Sequence, residues 1–262
     1  MENLKNKYFM KLALQQADRV LGKTKTNPAV GCVITKNNTV ISADCTSVSG
    51  RPHAEHNALK KIKKKENNIQ LYSTLEPCSH YGKTSPCVNK IVKKKVKKVF
   101  FSIMDPDKRS YNKSTSILKK NGIKVYKNIF SSEIKKFYKS YIKYKEKGLP
   151  FVTCKLAASK DLFINDTKSK NITNKYSRAR GHLLRSYHDC IFSSSETVIK
   201  DNPRFTCRIN GLEKFTPARI ILDSNLKIPT NHNLILLAKK YRTIIFYNKI
   251  KKEKLRILKK YN

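Results

Sequence analysis

Arg51-Pro-His-Ala-Glu-His-Asn-Ala-Leu59, followed by Thr74-Leu-Glu-Pro-Cys-Ser-His-Tyr-Gly-Lys-Thr-Ser-Pro-Cys87, decides how this chain is read. The first run places His53 and Glu55 two residues apart at the start of an apolar-periodic segment formed by Ala54, Ala58, Leu59 and Ile62. The second ends an extended run, Ile69 to Leu75, on Pro77-Cys78 and reaches Cys87 after eight further residues. One imidazole and two thiolates are the donors that a catalytic Zn²⁺ takes, leaving a fourth position open. His53, Cys78 and Cys87 are therefore the expected zinc ligands. Glu55 remains as a carboxylate that can exchange a proton beside the metal without ligating it, the arrangement that zinc base deaminases need.

The order of these pieces, helix, strand, loop, helix, carries more weight than any one of them. A lone His-x-Glu is uninformative, and a chain with seven cysteines can place two of them anywhere. A closed structural site is the competing reading, with His56 or His80 as fourth ligand, but it leaves Glu55 without a task. The eight-residue interval also departs from the two-residue spacing of the general deaminase signature.

That interval points to one family. Asn27-Pro-Ala-Val-Gly-Cys-Val-Ile34, His53-Ala-Glu-His-Asn-Ala-Leu59 and Thr74 to Cys87 together resemble the bifunctional riboflavin-biosynthesis pyrimidine deaminase/reductase. The resemblance implies zinc-dependent deamination of 2,5-diamino-6-(5-phosphoribosylamino)pyrimidin-4(3H)-one, followed by NADPH-dependent reduction of the product. It further implies that Glu55 is catalytic and that Asn27, His80, Lys83 and Thr84 contact the substrate. Ser85 stands where the family usually has a second proline, and Lys108 to Lys113 replaces a Gly-rich turn after Asp105-Pro-Asp107.

Outward from this centre, residues 7–21 keep helical apolar spacing, Ala29 to Ile34 reads as a buried strand, and Asn37-Asn38 as the turn to a partner strand at Thr39 to Ser42. Lysines crowd the end of the His53 helix at 60–65, where the helix dipole favours cations. A helix at 88–92, a strand at 99–103, a helix at 114–121, a short strand at 123–126 and one long helix at 131–147 complete an α/β pattern. The expected architecture is a cytidine-deaminase-like three-layer α/β/α domain over 1–147. Gly148-Leu-Pro150 marks the boundary to a second α/β domain over 150–262.

The second domain is read through the same resemblance, as dihydrofolate-reductase-like. Phe151 to Ser159 is similar to the first reductase strand, Ser193 to Arg208 to its cofactor and substrate segment, and Arg219 to Ser224 to a later strand. By that likeness Ala157, Thr197, Asp201 and Ser224 would touch NADPH, and Ser169, Arg185, Phe205 and Arg208 the substrate. Lys160-Asp-Leu162 replaces Leu-Asp-Gly, and Asn171 replaces tryptophan. No counterpart of the family's Glu-Ala-Gly-Pro-like segment occurs, so the expectation is an incomplete reductase domain.

Composition narrows the remaining classes. No apolar run is long enough to span a membrane and the N-terminus lacks a secretory pattern; unpaired cysteines suit a reducing compartment, so a cytoplasmic protein is expected. A formal charge of +39 invites a nucleic-acid reading, but the lysines are spread along the whole chain and form no stripe. Two rival functions stay open: a nucleic-acid base deaminase using the same four residues, and a basic binding protein on a decayed enzyme fold. A homo-oligomer acting on a small phosphoribosylated substrate is the expectation.

Overall fold

The computed structural model describes residues 2–63, 66–164, 172–249 and 252–261. Contacts divide the chain into two compact units, Met1–Thr153 and Cys154–Asn262.

In the first unit, α1 (Glu2–Asp18) leads to the hairpin β1 (Gly31–Lys36) and β2 (Thr39–Cys45). Asn37 and Asn38 take φ of 48° and 65°, the left-handed pair that a tight hairpin turn requires and asparagine tolerates. After α2 (Ala54–Lys61) come β3 (Gln70–Leu75), α3 (Cys87–Lys93), β4 (Lys98–Ile103), α4 (Ser114–Lys120) and β5 (Lys124–Tyr126). The sheet order is β2-β1-β3-β4-β5. β1 is antiparallel to both its neighbours, and β3, β4 and β5 run parallel.

Side chains alternate across this sheet, and the alternation places the layers. On β1, Gly31 faces α1 so closely that a Cβ would lie 1.8 Å from the Ala13 carbonyl oxygen. On β3, Tyr72 meets Phe9 of α1 at a ring-centroid distance of 5.2 Å, while the next residue, Ser73, points the other way and bonds Glu55 of α2. Helices thus cover both faces, as expected for a three-layer α/β/α unit. Tyr72, Phe100 and Tyr126 occupy one register row of β3, β4 and β5 and stack at 4.5 and 4.7 Å. Cross-strand aromatic contacts of this kind help to fix register, and register decides which residues of β3 face α2.

The expected single helix at 131–147 is two, α5 (Ser131–Phe137) and α6 (Lys139–Lys147). They meet at Tyr138, which is buried. Its hydroxyl donates to the Ala29 carbonyl at 2.8 Å and bonds Thr74 Oγ1 at 2.7 Å, and Thr74 in turn accepts the Gly31 amide at 3.1 Å. This chain of bonds ties the helix junction to β1 and β3.

The second unit contains α7 (Lys175–Tyr187), β6 (Cys190–Ser194), α8 (Ser195–Asp201), β7 (Ala218–Leu222), α9 (Asn233–Leu236), β8 (Thr243–Phe246) and α10 (Lys252–Leu258). Its three strands are parallel in the order β6-β7-β8. Val198, Ile221, Ile228, Leu234 and Ile235 form the core. Arg219 is fully buried beside it and donates to the carbonyls of Arg204, Leu234 and Tyr241 and to the Thr243 hydroxyl. The expected strand at Phe151 to Ser159 is not formed. No strand is assigned over that stretch, which ends in a local turn in which the Ser159 amide donates to the Phe163 carbonyl.

Candidate active site

His53 stands immediately before α2, Glu55 lies in its first turn, and Cys87 is the first residue of α3. β3 delivers Cys78 three residues beyond its end. His53 Nδ1 lies 3.4 Å from Cys78 Sγ and 3.5 Å from Cys87 Sγ, and one ligand atom from each of the three residues fits within 4.8 Å. Zn–N of about 2.0 Å and Zn–S of about 2.3 Å at a tetrahedral angle separate N from S by roughly 3.5 Å, so the observed spacings suit zinc. The other ring nitrogen, His53 Nε2, is buried without a hydrogen-bond partner among the described residues.

The sulfurs differ. Cys78 accepts the Cys87 amide at 3.3 Å, and hydrogen bonding to Cys87 and His53 holds its thiol far below the usual range. Cys87 is pushed up, by its bond with Cys78 and then by burial. His53 is raised, first by its bond to Cys78. Glu55 is 3% exposed and burial raises it above an ordinary carboxylate. Ser73 donates to its Oε1 at 3.1 Å and the Cys87 thiol to its Oε2 at 3.4 Å.

A cavity of about 170 Å³ opens over this group. Asn27, expected from the sequence, lines it, held in a turn by the Thr24 hydroxyl on its carbonyl. Gly50 packs against it at φ +93°, and a Cβ there would lie 2.4 Å from Asn27 Nδ2. His80 also lines the cavity, with Nδ1 2.8 Å from Ser110 Oγ. Lys83 and Thr84 are exposed on the same loop and stand outside the lining; Thr84 accepts from Arg51 at 2.7 Å.

Sequence reasoning gave Glu76 no role, yet it organises the opposite wall. Its buried carboxylate accepts the amides of Asp105, Asn112 and Ser114 and the Ser114 hydroxyl. Asp105 accepts the Asp107 amide and the Tyr141 hydroxyl, both at 3.0 Å, and burial raises its carboxyl to about 6. Asp107 is held by Arg109 at 2.9 and 2.7 Å and by Lys145 at 2.9 Å, which keep it well below the carboxylate range. Arg109, Tyr141 and Lys145 therefore join the site unannounced by any motif, brought there from distant positions only by the fold, while Arg51 stands at the start of the His53 stretch without having been given a role.

In the second unit α7 sets Arg185 beside residues 206–208. Arg185 Nη1 donates to the Thr206 carbonyl at 3.2 Å and lies 3.0 Å from His182 Nδ1, which also accepts the Arg208 amide. His182 was not foreseen, although its i, i+3 spacing from Arg185 puts both on one helix face. Phe205 packs on the core. Thr197 donates its amide to Ser194, Asp201 is exposed at the end of α8, Ser224 accepts from Asn248 and Lys249 through its carbonyl, and Ala157 is half-buried. Ser169 lies outside the described residues.

Comparison with known proteins agrees with both halves. Residues 4–103 match the cytidine and deoxycytidylate deaminase zinc-binding region, and residues 150–261 match the RibD C-terminal domain. The riboflavin biosynthesis protein RibD of Bacillus amyloliquefaciens is 35% identical over 87% of this chain and 62% of its own length, and that of Escherichia coli K12 is 32% identical over 88% and 67%. The solved diaminohydroxyphosphoribosylaminopyrimidine deaminase/5-amino-6-(5-phosphoribosylamino)uracil reductase of Thermotoga maritima superposes with a TM-score of 0.88 at 33% identity, covering 95% of this chain and 71% of that one. The chain belongs to the RibD family. It spans 62% and 65% of the lengths of the Bacillus amyloliquefaciens and Aquifex aeolicus members. Like them it is a mixed α/β protein with a deaminase-type half and a RibD C-terminal half, and no described helix is long and apolar enough to cross a membrane.

Proposed function

We propose that the first unit deaminates 2,5-diamino-6-(5-phosphoribosylamino)pyrimidin-4(3H)-one in riboflavin biosynthesis. The observation that carries this reading is the convergence of one imidazole and two thiols beside a buried carboxylate that is not needed as a ligand. His53, Cys78 and Cys87 would hold zinc, which supplies Lewis-acid activation at neutral pH. Glu55 takes a proton from the attacking water and returns it to the departing nitrogen, which leaves as ammonia. Ser73 fixes the orientation of that carboxylate, and burial keeps it able to carry a proton. Asn27 and His80 position the ring from the cavity wall, with Lys83 and Thr84 on the adjoining loop.

For residues 150–262 we propose family-type reduction of the deaminated product, 5-amino-6-(5-phosphoribosylamino)uracil, with NADPH. Arg185 and Arg208, close enough for the charge of one to act on the other and with no carboxylate paired to either among the described residues, suit an anionic substrate, with Ser169 and Phe205 as further contacts. Ala157, Thr197, Asp201 and Ser224 would meet the nucleotide, and the pairing of β6 with β7 joins the segments that carry Thr197 and Ser224. The protein acts as a homo-oligomer in the cytoplasm on this reading, which sedimentation and fractionation can check.

The deciding experiment follows ammonia release and NADPH oxidation separately, on zinc-quantified protein. Ammonia release from the wild type is expected, and a Glu55→Gln variant should keep its zinc while losing turnover by about 10³-fold or more. Full turnover by that variant would rule out the mechanism.

A further inference from the structure

The cavity over the metal-ligand group is polarised. Its floor holds Glu55 and Glu76, 3% and 2% exposed, together with Asp105. Its rim holds three cations, Arg51, Arg109 and Lys145. Only Asp107 answers them: it pairs with Arg109 and Lys145, and no carboxylate among the described residues pairs with Arg51, which bonds the Thr84 hydroxyl. The Arg109 side chain is 64% exposed, so its outer N–H groups face solvent at the mouth.

We propose that Arg51 and Arg109, on opposite loops, form an anion rim that takes the phosphate of a phosphoribosylated substrate and sets which end of the ligand enters. This rests on the deaminase reading and extends it from the ring to the phosphate. An uncharged heterocycle can enter beside these buried carboxylates, whereas a phosphate driven inward would meet Glu55, Glu76 and Asp105 and lose its hydration unrewarded. At the rim it meets guanidinium forks, whose geometry matches phosphate oxygens. Only one orientation satisfies both ends. Asp107 is the positioning residue: it grips Arg109 through two hydrogen bonds and so aims the guanidinium. Lys145 reaches the same carboxylate from α6, leaving the cluster with net positive charge. The 79–86 loop takes part through Thr84, whose hydroxyl fixes Arg51 against the backbone at Gly82.

The test needs no turnover. Binding of ribose 5-phosphate and of ribose to the full-length, zinc-loaded protein is measured by calorimetry for wild type, Arg51→Ala, Arg109→Ala and the charge-retaining Arg109→Lys. Zinc content and a thermal melt establish that each variant is folded. Selective binding of ribose 5-phosphate by the wild type is expected, with a loss of roughly 10- to 100-fold in each alanine variant and partial retention in Arg109→Lys. In kinetics, the preference for the phosphorylated substrate over its dephosphorylated counterpart should fall by a similar factor, through KM. Equal binding of ribose and ribose 5-phosphate, or unchanged affinity in both alanine variants, overturns the proposal. A wild type that seats ribose 5-phosphate through both arginines yet releases no ammonia sustains the rim and sinks the deaminase reading alone.

Discussion

At the scale of single residues the wall formed by Asp105 makes a measurable demand on pH. Its carboxyl is raised by burial to about 6 from an ordinary 3.8. Between those values the folded protein keeps a proton that the unfolded chain has released, so this group's contribution to stability declines as pH climbs from about 4 to about 6. Above that window the buried charge costs on the order of 2–3 kcal/mol. Asp105→Asn keeps an oxygen to accept from Asp107 and Tyr141 and removes the charge. Denaturant titrations should therefore find the variant more stable than wild type at pH 7.5 and nearly equal to it at pH 4. An unchanged difference across that range would contradict the assignment. Legibility differs sharply among the site residues. His53, Glu55, Cys78 and Cys87 could be singled out because their chemistry is written in short spacings. Arg109 and Lys145 could not, because what makes them part of the site is a shared carboxylate, Asp107, and Lys145 meets it from 38 residues further along the chain.

At the scale of elements, two contacts hold the site's scaffold. Gly31 permits α1 to lie against β1, and Gly31→Ala drives a Cβ into the Ala13 carbonyl; overpacking against backbone should cost about 2 kcal/mol or more. Tyr138 joins the helix junction to β1 and β3. Tyr138→Phe removes a hydroxyl with two buried partners and should cost about 1–3 kcal/mol, read as a lower denaturant midpoint with an unchanged slope. A midpoint equal to wild type would show that the hydroxyl adds nothing. The helices and strands of the first unit were largely readable, since apolar period and turn residues agree there. The junction at Tyr138 was not, because the helical hydrogen bonding continues through it and only a tertiary anchor marks the place. The strand expected at Phe151 to Ser159 rested on likeness to the family rather than on an apolar period of its own, and no strand is assigned there.

At the scale of the whole molecule the two units differ in how much they bury. The first has a large core spanning both faces of a five-stranded sheet, and the second, among the described residues, a five-residue core beside three strands. We expect residues 1–153 expressed alone to fold and bind one equivalent of zinc, as measured by circular dichroism and metal analysis; an unfolded, zinc-free fragment would refute that. The charge of +39 should give the full chain a weak, sequence-indifferent affinity for polyanions that fades steeply with salt, visible in heparin retention. Glu76 bears on how such a molecule can change. One carboxylate grips the 105–114 loop by three backbone amides and a single hydroxyl, so part of the loop's path is set from outside it. The clasp works as a socket: side chains at the cavity mouth that make no bond within the loop can be exchanged by mutation with the fold undisturbed, and selection for a new ligand tail would find its raw material there.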